Sequence, residues 1–326
     1  MNAVKAPFGW TLLSLLTLVL APALVQVPYF LHLGILALIW VIVAQGQNLV
    51  QGFTGYVSIA AAGFMGVGAY ASTLLTTKLG WPVWTSMACA PVVAGLLAVV
   101  VGYPSLRVKG HYFAIVTMAY NLVIFIVLVN FSSLTGGESG ITGVPKPESF
   151  SLFGVLFNFE TRNAFYYLTL IFAVFATVVC GLVLHSRVGR VLLAIRQNEP
   201  LVEAAGVFAW RYKMFAFVLS AALCGVAGAL YAHFIGFLNP EPFGVDQSLN
   251  AILAVILGGS GTLAGPVVGA FLVVALPEVL RVAETYRLIV YGLLLVLTTI
   301  FMPRGVVPLV AHAWVRFTSI FKRQRR

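Results

Sequence analysis

The chain has 326 residues, of which 61% are hydrophobic and only 9% are charged, and its mean hydropathy is +1.02. A soluble domain carries about 25% charged residues, so this composition excludes an ordinary soluble globular protein and predicts a polytopic membrane protein with one domain, 1–326. The net charge of +10 does not indicate nucleic-acid binding, because the basic residues are concentrated in short loops and a tail.

Apolar runs follow one another along the chain, and several reach the roughly 20 residues that a helix needs to cross a bilayer. The first, 9–27, imitates a signal peptide because Ala21-Pro22-Ala23 resembles a cleavage site. Everything downstream is also apolar, so a first membrane span is the favoured interpretation. The remaining predicted spans, in chain order, are 31–50, 57–77, 83–103, 111–130, 164–185, 213–235, 248–280 and 286–303.

The eighth span is predicted to be interrupted. The segment 248–280 is too long for one simple crossing, and the glycine-rich run 258–266 ends a helix in its middle. We therefore expect two half-helices, 248–257 and 265–280, that enter the membrane and return.

Gly52 and Gly55, ahead of the third span, likewise suggest a broken helix of the kind found at transporter midplane sites. Small residues at four-residue spacing, such as Ala221, Gly225 and Ala229, lie on one helix face and predict close helix packing. The predicted fold class is therefore all-α, a polytopic transmembrane helical bundle with about 8–10 membrane segments, including the broken pair of half-helices.

The distribution of Lys and Arg predicts the orientation. With the N-terminus inside and 248–280 entering and returning, most of the 19 basic residues fall on the cytoplasmic side. Most of the acidic residues then fall on the opposite side. Both termini are predicted to be cytoplasmic, with 304–326 as a basic cytoplasmic tail, and the loop 131–163 is predicted to be extracytoplasmic.

The segment 186–213 is the most informative part of the sequence. It separates two spans and contains five basic and two acidic residues, namely Arg187, Arg190, Arg196, Arg211, Lys213, Glu199 and Glu203. A charged loop of this length must face water, and its basic excess places it in the cytoplasm. It is large enough to dock a partner that supplies energy. The alternative is a solvated amphipathic connector whose charges only enforce the topology.

The loop 131–163 is rich in glycine and proline, which predicts irregular structure and not a long helix. Loops of this kind often carry function, so it is suited to receive an extracytoplasmic partner. A plain solvated connector is the alternative.

Charged residues are nearly absent from the centres of the predicted spans, whereas ion-coupled carriers usually need them there. An ion-coupled carrier or a self-sufficient channel is therefore a remote alternative. Uncharged polar residues either line a pathway or hydrogen-bond neighbouring helices, and the second interpretation is favoured for each. The pathway candidates are Gln47, Asn48, Gln51, Thr117, Asn121 and Asn250.

Most known catalytic motifs are absent from the sequence, but one short run matches a protease motif. Gly137-Glu138-Ser139-Gly140 matches the G-x-S-G of rhomboid intramembrane proteases, with His233 as a conceivable base. Two prolines follow at once, where that chemistry needs a membrane-buried helix, so a protease is a second remote alternative. The sequence has no H-E-x-x-H and no Walker A loop. We predict no catalytic residue, no cofactor site and no metal site, and hence a protein that is not an enzyme.

The run Glu203-Ala204-Ala205-Gly206 resembles the EAA loop of ATP-binding-cassette importer permeases, the segment that docks on the ATPase. The run from Arg187 to Ala232 resembles more specifically the permeases of branched-chain amino acid importers, of the M-type subunit. Similar runs elsewhere are Gly52–Gly55, Gly66–Tyr70, Leu106–Thr117, Leu134–Gly137, Gly140–Pro145, Gly258–Pro266 and Met302–Gly305. The chain departs from the broader EAA signature because Gly206 follows without a spacer and the Ile-x-Leu-Pro ending is missing.

This resemblance implies a permease subunit in a bacterial inner membrane. The implied partners are a second, H-type permease, two cytoplasmic ATPases that hydrolyse ATP, and a periplasmic substrate-binding protein. The implied substrates are branched-chain or other hydrophobic amino acids. Urea, short amides and aromatic acids are alternatives, because similar permeases move them.

The resemblance also assigns functional residues. A short helix around 199–206 would lie on the ATPase, with polar contacts from Arg196, Glu199 and Glu203. The full set of coupling candidates is Arg187, Gly189, Arg190, Arg196, Glu199, Glu203, Ala204, Ala205 and Gly206. The binding protein would dock on the 131–163 side, and the candidates there are Glu138, Ser139 and Glu148.

Overall fold

The computed structural model describes residues 28–108, 110–152, 155–157, 159, 161–279, 292, 296, 305–307 and 309. The predicted span 9–27, nearly all of the span 286–303 and most of the basic tail 304–326 lie outside these described residues.

Helices dominate the described chain, so the all-α prediction is confirmed. They are α1 (Pro28–Thr54), α2 (Ala61–Thr77), α3 (Val83–Ser105), α4 (His111–Asn130), α5 (Ser132–Thr135), α6 (Arg162–His185), α7 (Arg187–Ala204), α8 (Ala209–Ile235), α9 (Val245–Gly258) and α10 (Ala264–Val279). Within the described ranges, α1, α3, α4, α6 and α8 are long and apolar enough to cross a membrane. The protein is therefore a multi-pass membrane protein.

The bundle is built around α8, which packs against α1, α2 and α3. Glycines make this packing possible. A Cβ on Gly228 would overlap the carbonyl oxygen of Met65 in α2, and a Cβ on Gly68 would overlap the backbone of Gly225. The predicted close packing of helices through small residues is confirmed, since only residues without a side chain fit where these two backbones meet.

The predicted pair of half-helices is present as α9 and α10. The two run antiparallel, because Gly258 packs on Gly265 at one end of the pair and Ala254 packs on Gly269 further along. The turn 259–263 separates them. The chain thus enters the bundle and returns, as the sequence predicted.

A second non-helical segment, 55–60, separates α1 from α2. Ser58 lies beside Gln47, about two turns before the end of α1, so this segment runs back along α1 into the bundle. The helix α2 therefore begins at Ala61, inside the bundle, and not at 57 as the hydropathy predicted. Hydropathy does not distinguish a helix from an extended apolar segment whose backbone is bonded by neighbouring helices.

The segment 186–213 differs from the expected loop. Most of it forms the helix α7, which begins with Ser186 as N-cap, its hydroxyl accepting from the Gly189 amide at 3.2 Å. Leu192 and Ile195 are buried against the bundle. Their three-residue spacing, and the Ser186 cap before them, are the sequence signals that indicate this helix.

The segment 131–163 packs on the opposite end of the bundle from α7. As expected it is largely irregular, with the short helix α5, a 3₁₀ turn at Gly137–Ser139 and three short strands. A fourth strand, which follows α8, completes two antiparallel pairs. The strands are β1 (Ile141–Thr142) with β4 (Phe237–Leu238), and β2 (Phe150–Leu152) with β3 (Val155–Phe157). The first pair ties the loop to the end of α8.

Candidate functional site

The turn 259–263 meets the last turn of α1, just before the segment 55–60, beneath α7, and this junction is the candidate functional site. A Cβ on Gly52, in the last turn of α1, would lie 2.7 Å from the amide nitrogen of Gly261 in the turn 259–263. A Cβ on Gly261 would lie 3.1 Å from the Gly52 carbonyl oxygen. The absence of side chains therefore lets the two backbones touch.

Side chains of α1 bond the backbone of both segments. Gln47 donates through Nε2 to the carbonyl of Ser58 at 2.9 Å, and also to Gln51 Oε1 at 3.2 Å. Asn48 donates to the carbonyl of Thr262 and accepts from the amide of Gly261, both at 2.9 Å. These amide groups replace hydrogen bonds that a continuous helix would have made within itself.

Other helices complete this set of bonds. The hydroxyl of Thr117 in α4 accepts from the amide of Ile59 at 3.0 Å. Ser248 in α9 accepts from the amide of Ala62 at 2.9 Å and so caps the start of α2. Gln45 of α1 donates to the carbonyl of Leu263 at 2.8 Å. Sequence reasoning did not select Ser248 or Gln45 as site residues, because no local pattern distinguishes them from the other polar residues of the spans.

The six polar pathway candidates thus divide. Gln47, Asn48 and Thr117 bond the backbone of the non-helical segments, and Gln51 accepts from Gln47. Asn250 is half-buried and donates to Gln247 Oε1 at 3.2 Å. Asn121 is fully buried beside Gly63, and in the described part of the chain neither of its amide atoms has a hydrogen-bond partner. A role in lining a pathway stays a prediction for all six.

Arg196 connects α7 to the junction. Although the residue is exposed, its Nη1 donates to the carbonyl of Gly52, and its Nη2 lies 3.4 Å from Ser260 Oγ. Gly52 belongs to the last turn of α1, where carbonyls lack helical partners. A cation at such a terminus stabilises it by about 0.3–1 kcal/mol.

Glu199 forms a second connection, with Lys213 of α8 and Tyr56 of the segment 55–60. Lys213 Nζ lies 2.6 Å from Glu199 Oε1, with side chains 3% and 9% exposed, and 4.5 Å from the centre of the Tyr56 ring. The Tyr56 hydroxyl donates to Glu199 Oε2. Burial, followed by the hydrogen bond to Glu199, raises the pKa of Tyr56. The phenol therefore stays protonated and remains a donor.

A kink divides α7 between these two connections. Asn198 has φ −159° and ψ 93°, which is not helical. Its side chain accepts from the Leu201 amide at 3.1 Å and so caps a second, shorter helical piece. Pro200 lies in the first turn of that piece, where its missing N–H costs nothing. Arg196 thus lies in one half of α7 and Glu199 in the other.

The end of α7 is exposed. Gly206 has φ +82°, and its amide bonds the Glu203 carbonyl at 3.0 Å while that of Val207 bonds the Val202 carbonyl at 3.3 Å. This is a Schellman motif, which requires the left-handed conformation that glycine adopts without strain. Glu203, Ala204, Ala205 and Gly206 all face outward.

The coupling candidates therefore separate into two groups. Gly189 is buried, and a Cβ there would overlap carbonyl oxygens at the end of α6. Glu199 and Arg196, expected to contact a partner, make their polar contacts within the chain. Arg187 and Arg190 are exposed, as is the end of α7. Contact of any of these residues with an ATPase stays a prediction.

A cleft of about 400 Å³ opens beside the end of α7. It is lined by Val188, Val207, Phe208, Tyr212 and Phe215. Phe208 is 69% exposed, and Leu201 in the same segment is 67% exposed. The charged segment therefore presents large apolar side chains together with its basic residues.

At the other end of the bundle, Glu138, Ser139 and Glu148 are exposed on the 131–163 segment. Lys78 anchors this segment by donating to the Ser133 carbonyl at 2.8 Å, and Trp84 donates to the Glu148 carbonyl at 3.1 Å. The exposed positions are compatible with a docking surface, which stays a prediction.

His233 does not form a protease site. Its Nδ1 donates to the Pro145 carbonyl at 2.6 Å, and its Nε2 lies 2.8 Å from Ser72 Oγ. Ser139 lies in the exposed 3₁₀ turn and not at the start of a membrane-buried helix. The imidazole instead ties the 131–163 segment to α2. No group of three or more potential metal ligands occurs among the described residues.

Comparison with known proteins gives a consistent result. A family model for the permease component of the branched-chain amino acid transport system matches residues 29–299. The chain is 33% identical over 292 residues to the high-affinity branched-chain amino acid transport permease LivM of Salmonella typhimurium, covering 84% of the chain and 69% of the relative. It is 27% identical over 290 residues to LivH of Escherichia coli, covering 82% and 90%. No solved structure matches the chain.

The bonds from Asn48 predict a loss of stability on its removal. Asn48→Ala leaves the partly buried Gly261 amide and Thr262 carbonyl without this partner, each at a cost of up to about 1–3 kcal/mol. We expect a lower midpoint of thermal unfolding in detergent. The matched control is Asn130→Ala, which removes an exposed bond within α4 to the Ile126 carbonyl. Equal midpoints for the two variants would contradict the role assigned to Asn48.

The buried ion pair predicts non-additive effects. Glu199→Gln or Lys213→Met alone leaves one buried charge without its partner, at a cost of about 3–5 kcal/mol. We expect the double variant to be less destabilised than the sum of the two, as measured by denaturant titration in mixed micelles. Lys78→Met, which removes an exposed lysine, serves as the control. Additive losses in the double variant would show that the pair does not act as a unit.

Proposed function

The chain belongs to the family of permease components of branched-chain amino acid transport systems, and on this premise we propose that it is one permease subunit of an ATP-driven importer. In this proposal it forms half of the translocation pathway and pairs with a second, homologous permease. Relatives named LivM and LivH both match the chain, which supports a pair of related but distinct subunits.

The observation that carries the proposal is α7. This helix is charged and separate from the apolar spans, yet its side chains reach both non-helical segments. Arg196 contacts Ser260 in the turn 259–263, and Glu199 bonds Tyr56 in the segment 55–60. A protein driven from within the membrane would need ionisable groups there. Here the ionic contacts lie at one end, which suits energy delivered by cytoplasmic ATPases.

The ATPase would dock on the exposed end of α7 and the adjoining cleft. Phe208 and Leu201 are too exposed and too apolar for a purely solvated connector, and the neighbouring basic residues favour the cytoplasmic side. The N- and C-termini would then also be cytoplasmic, and the membrane would be the inner membrane of a bacterium.

A periplasmic binding protein would deliver substrate to the opposite end, where Glu138, Ser139 and Glu148 are exposed. The relatives' names support branched-chain or other hydrophobic amino acids as substrates. The described part of the bundle interior supports the same class, since its polar groups away from the α7 end are uncharged and many of them bond backbone atoms. Such a pathway provides passage for an aliphatic side chain without binding it tightly.

The direct test is isolation of the chain from its source cells in mild detergent, with co-purifying proteins identified by mass spectrometry. We expect a second permease and an ATPase with a Walker motif. Vesicles containing this complex and supplied with the binding protein should accumulate labelled leucine only with internal ATP. Recovery of the chain alone, in detergent and again in lipid nanodiscs, or uptake without ATP, would contradict the proposal.

Gly206 provides a sharper test of docking. Gly206→Trp forces a side chain into the left-handed conformation and projects a large group from the end of α7, where nothing lies within 4 Å. We expect uptake to fall at least about tenfold, equivalent to ~1.4 kcal/mol, while ATP hydrolysis continues. Gly80→Trp is the control, because Gly80 has φ +67° and open space at the other end of the bundle. Unchanged uptake in Gly206→Trp would exclude this docking surface.

A further inference from the structure

Two helix C-termini converge on Arg196. The helix α1 ends at Thr54 and α9 ends at Gly258, and both ends carry carbonyls without helical partners and a negative partial charge. Without a cation, two such ends brought together repel each other. The guanidinium donates to the Gly52 carbonyl in the last turn of α1, and its Nη2 lies 3.4 Å from Ser260 Oγ in the turn that follows α9. One charged group therefore contacts both the end of α1 and the turn 259–263.

The fit around the guanidinium is close. A Cβ on Gly261 would lie 2.5 Å from Arg196 Nη1, and a Cβ on Gly55 would lie 3.1 Å from Arg196 Cγ. Glycines thus flank the side chain on both broken segments. A planar fork with several donors can bridge two acceptors in this way, whereas an ammonium acts as a point charge.

The two connections of α7 differ in strength. The Glu199–Lys213 pair is buried, so breaking it would leave charges without partners in an apolar site. Arg196 is exposed, and water can replace its contacts at little cost. The kink at Asn198 lies between them, so the two halves of α7 do not form one continuous helix. A displacement of α7 therefore separates Arg196 from the breaks before it disrupts the buried pair.

We propose that Arg196 is the positioning residue that transmits displacement of α7 to the two non-helical segments, 55–60 and 259–263. In place, it holds the turn 259–263 against the end of α1. Withdrawn, it leaves the end of α1 without its cation, and in the described part of the chain only the side-chain bonds from Gln45 and Asn48 then hold the turn 259–263 to α1 at this end of the bundle. The inference rests on the proposed function, since the ATPase supplies the displacement.

The test uses the assembled transporter in lipid vesicles with binding protein and labelled leucine. The variants are Arg196→Ala, Arg196→Lys and the control Arg162→Ala. Arg162 is matched because it also donates to a backbone carbonyl of α1, that of Pro28 at 3.3 Å, but at the opposite end. Co-purified ATPase, ATP hydrolysis and uptake are measured for each.

We expect Arg196→Ala to retain its ATPase and its hydrolysis, while uptake per ATP falls at least about tenfold, within the ~5–150-fold range of coupling between sites. Arg196→Lys keeps the charge but loses the planar guanidinium with its several donors. Its uptake per ATP should therefore lie between those of Arg196→Ala and the unsubstituted chain. Arg162→Ala should equal the unsubstituted chain. A merely structural role would lower assembly and hydrolysis together and leave the ratio intact.

Unchanged uptake per ATP in Arg196→Ala overturns the inference while the proposed function stands. If Arg196→Ala does not assemble, the ratio in Arg196→Lys decides, and an unchanged ratio there overturns the inference equally. An unsubstituted chain that recruits no ATPase instead overturns the proposed function and this inference with it.

A second measurement follows the turn itself. Ser260→Cys, combined with Cys89→Ser, places a thiol beside Arg196. We expect its rate of maleimide labelling to differ between the nucleotide-free and vanadate-trapped transporter. Adding Arg196→Ala should remove that difference. Persistence of the full difference would show that the turn moves without Arg196 and would overturn the inference.

Discussion

The hydrogen bonds from α1 to two non-helical segments are the interaction on which the rest of the structure depends. Inside hydrocarbon, water cannot bond a free amide or carbonyl, so an interrupted helix is tolerated only where protein groups replace the lost bonds. Gln47 and Asn48 supply those bonds to the segments 55–60 and 259–263. Because one helix bonds both segments, it also fixes their relative positions, and Gly52 meets Gly261 at the α7 end.

The same constraint explains the chemistry of the bundle. Amides and hydroxyls can each donate or accept without carrying a charge, so they satisfy backbone groups without the large cost of placing an ion in hydrocarbon. Three charged side chains lie instead at the α7 end of the bundle. Arg196 is exposed to water there, and Glu199 pairs with Lys213. Polar residues in the spans of this chain therefore indicate interrupted helices more directly than they indicate a translocation pathway.

Sequence reasoning predicted the spans that fall on described residues, and the α9–α10 hairpin, because length, hydropathy and glycine runs are local properties. It placed the start of α2 at 57, since an extended apolar segment and a helix have the same hydropathy. Apart from the short helix expected around 199–206, it treated 186–213 as a loop, because charge outweighed the Ser186 cap and the Leu192 and Ile195 spacing. The pairing of Tyr56 with Glu199 and Lys213 brings together residues up to 157 positions apart and has no local signal.

The junction also shows how a polar contact can differ in purpose according to its burial. The Glu199–Lys213 pair is withdrawn from water, so its net contribution to stability is small although removal of one partner is costly. Such a pair chiefly fixes geometry, here the position of α7 on α8 and Tyr56. Arg196 faces water, so its contacts form and break with little change in free energy. A rigid anchor and a weak contact, on either side of the kink at Asn198, are what a segment needs to move repeatedly while staying attached.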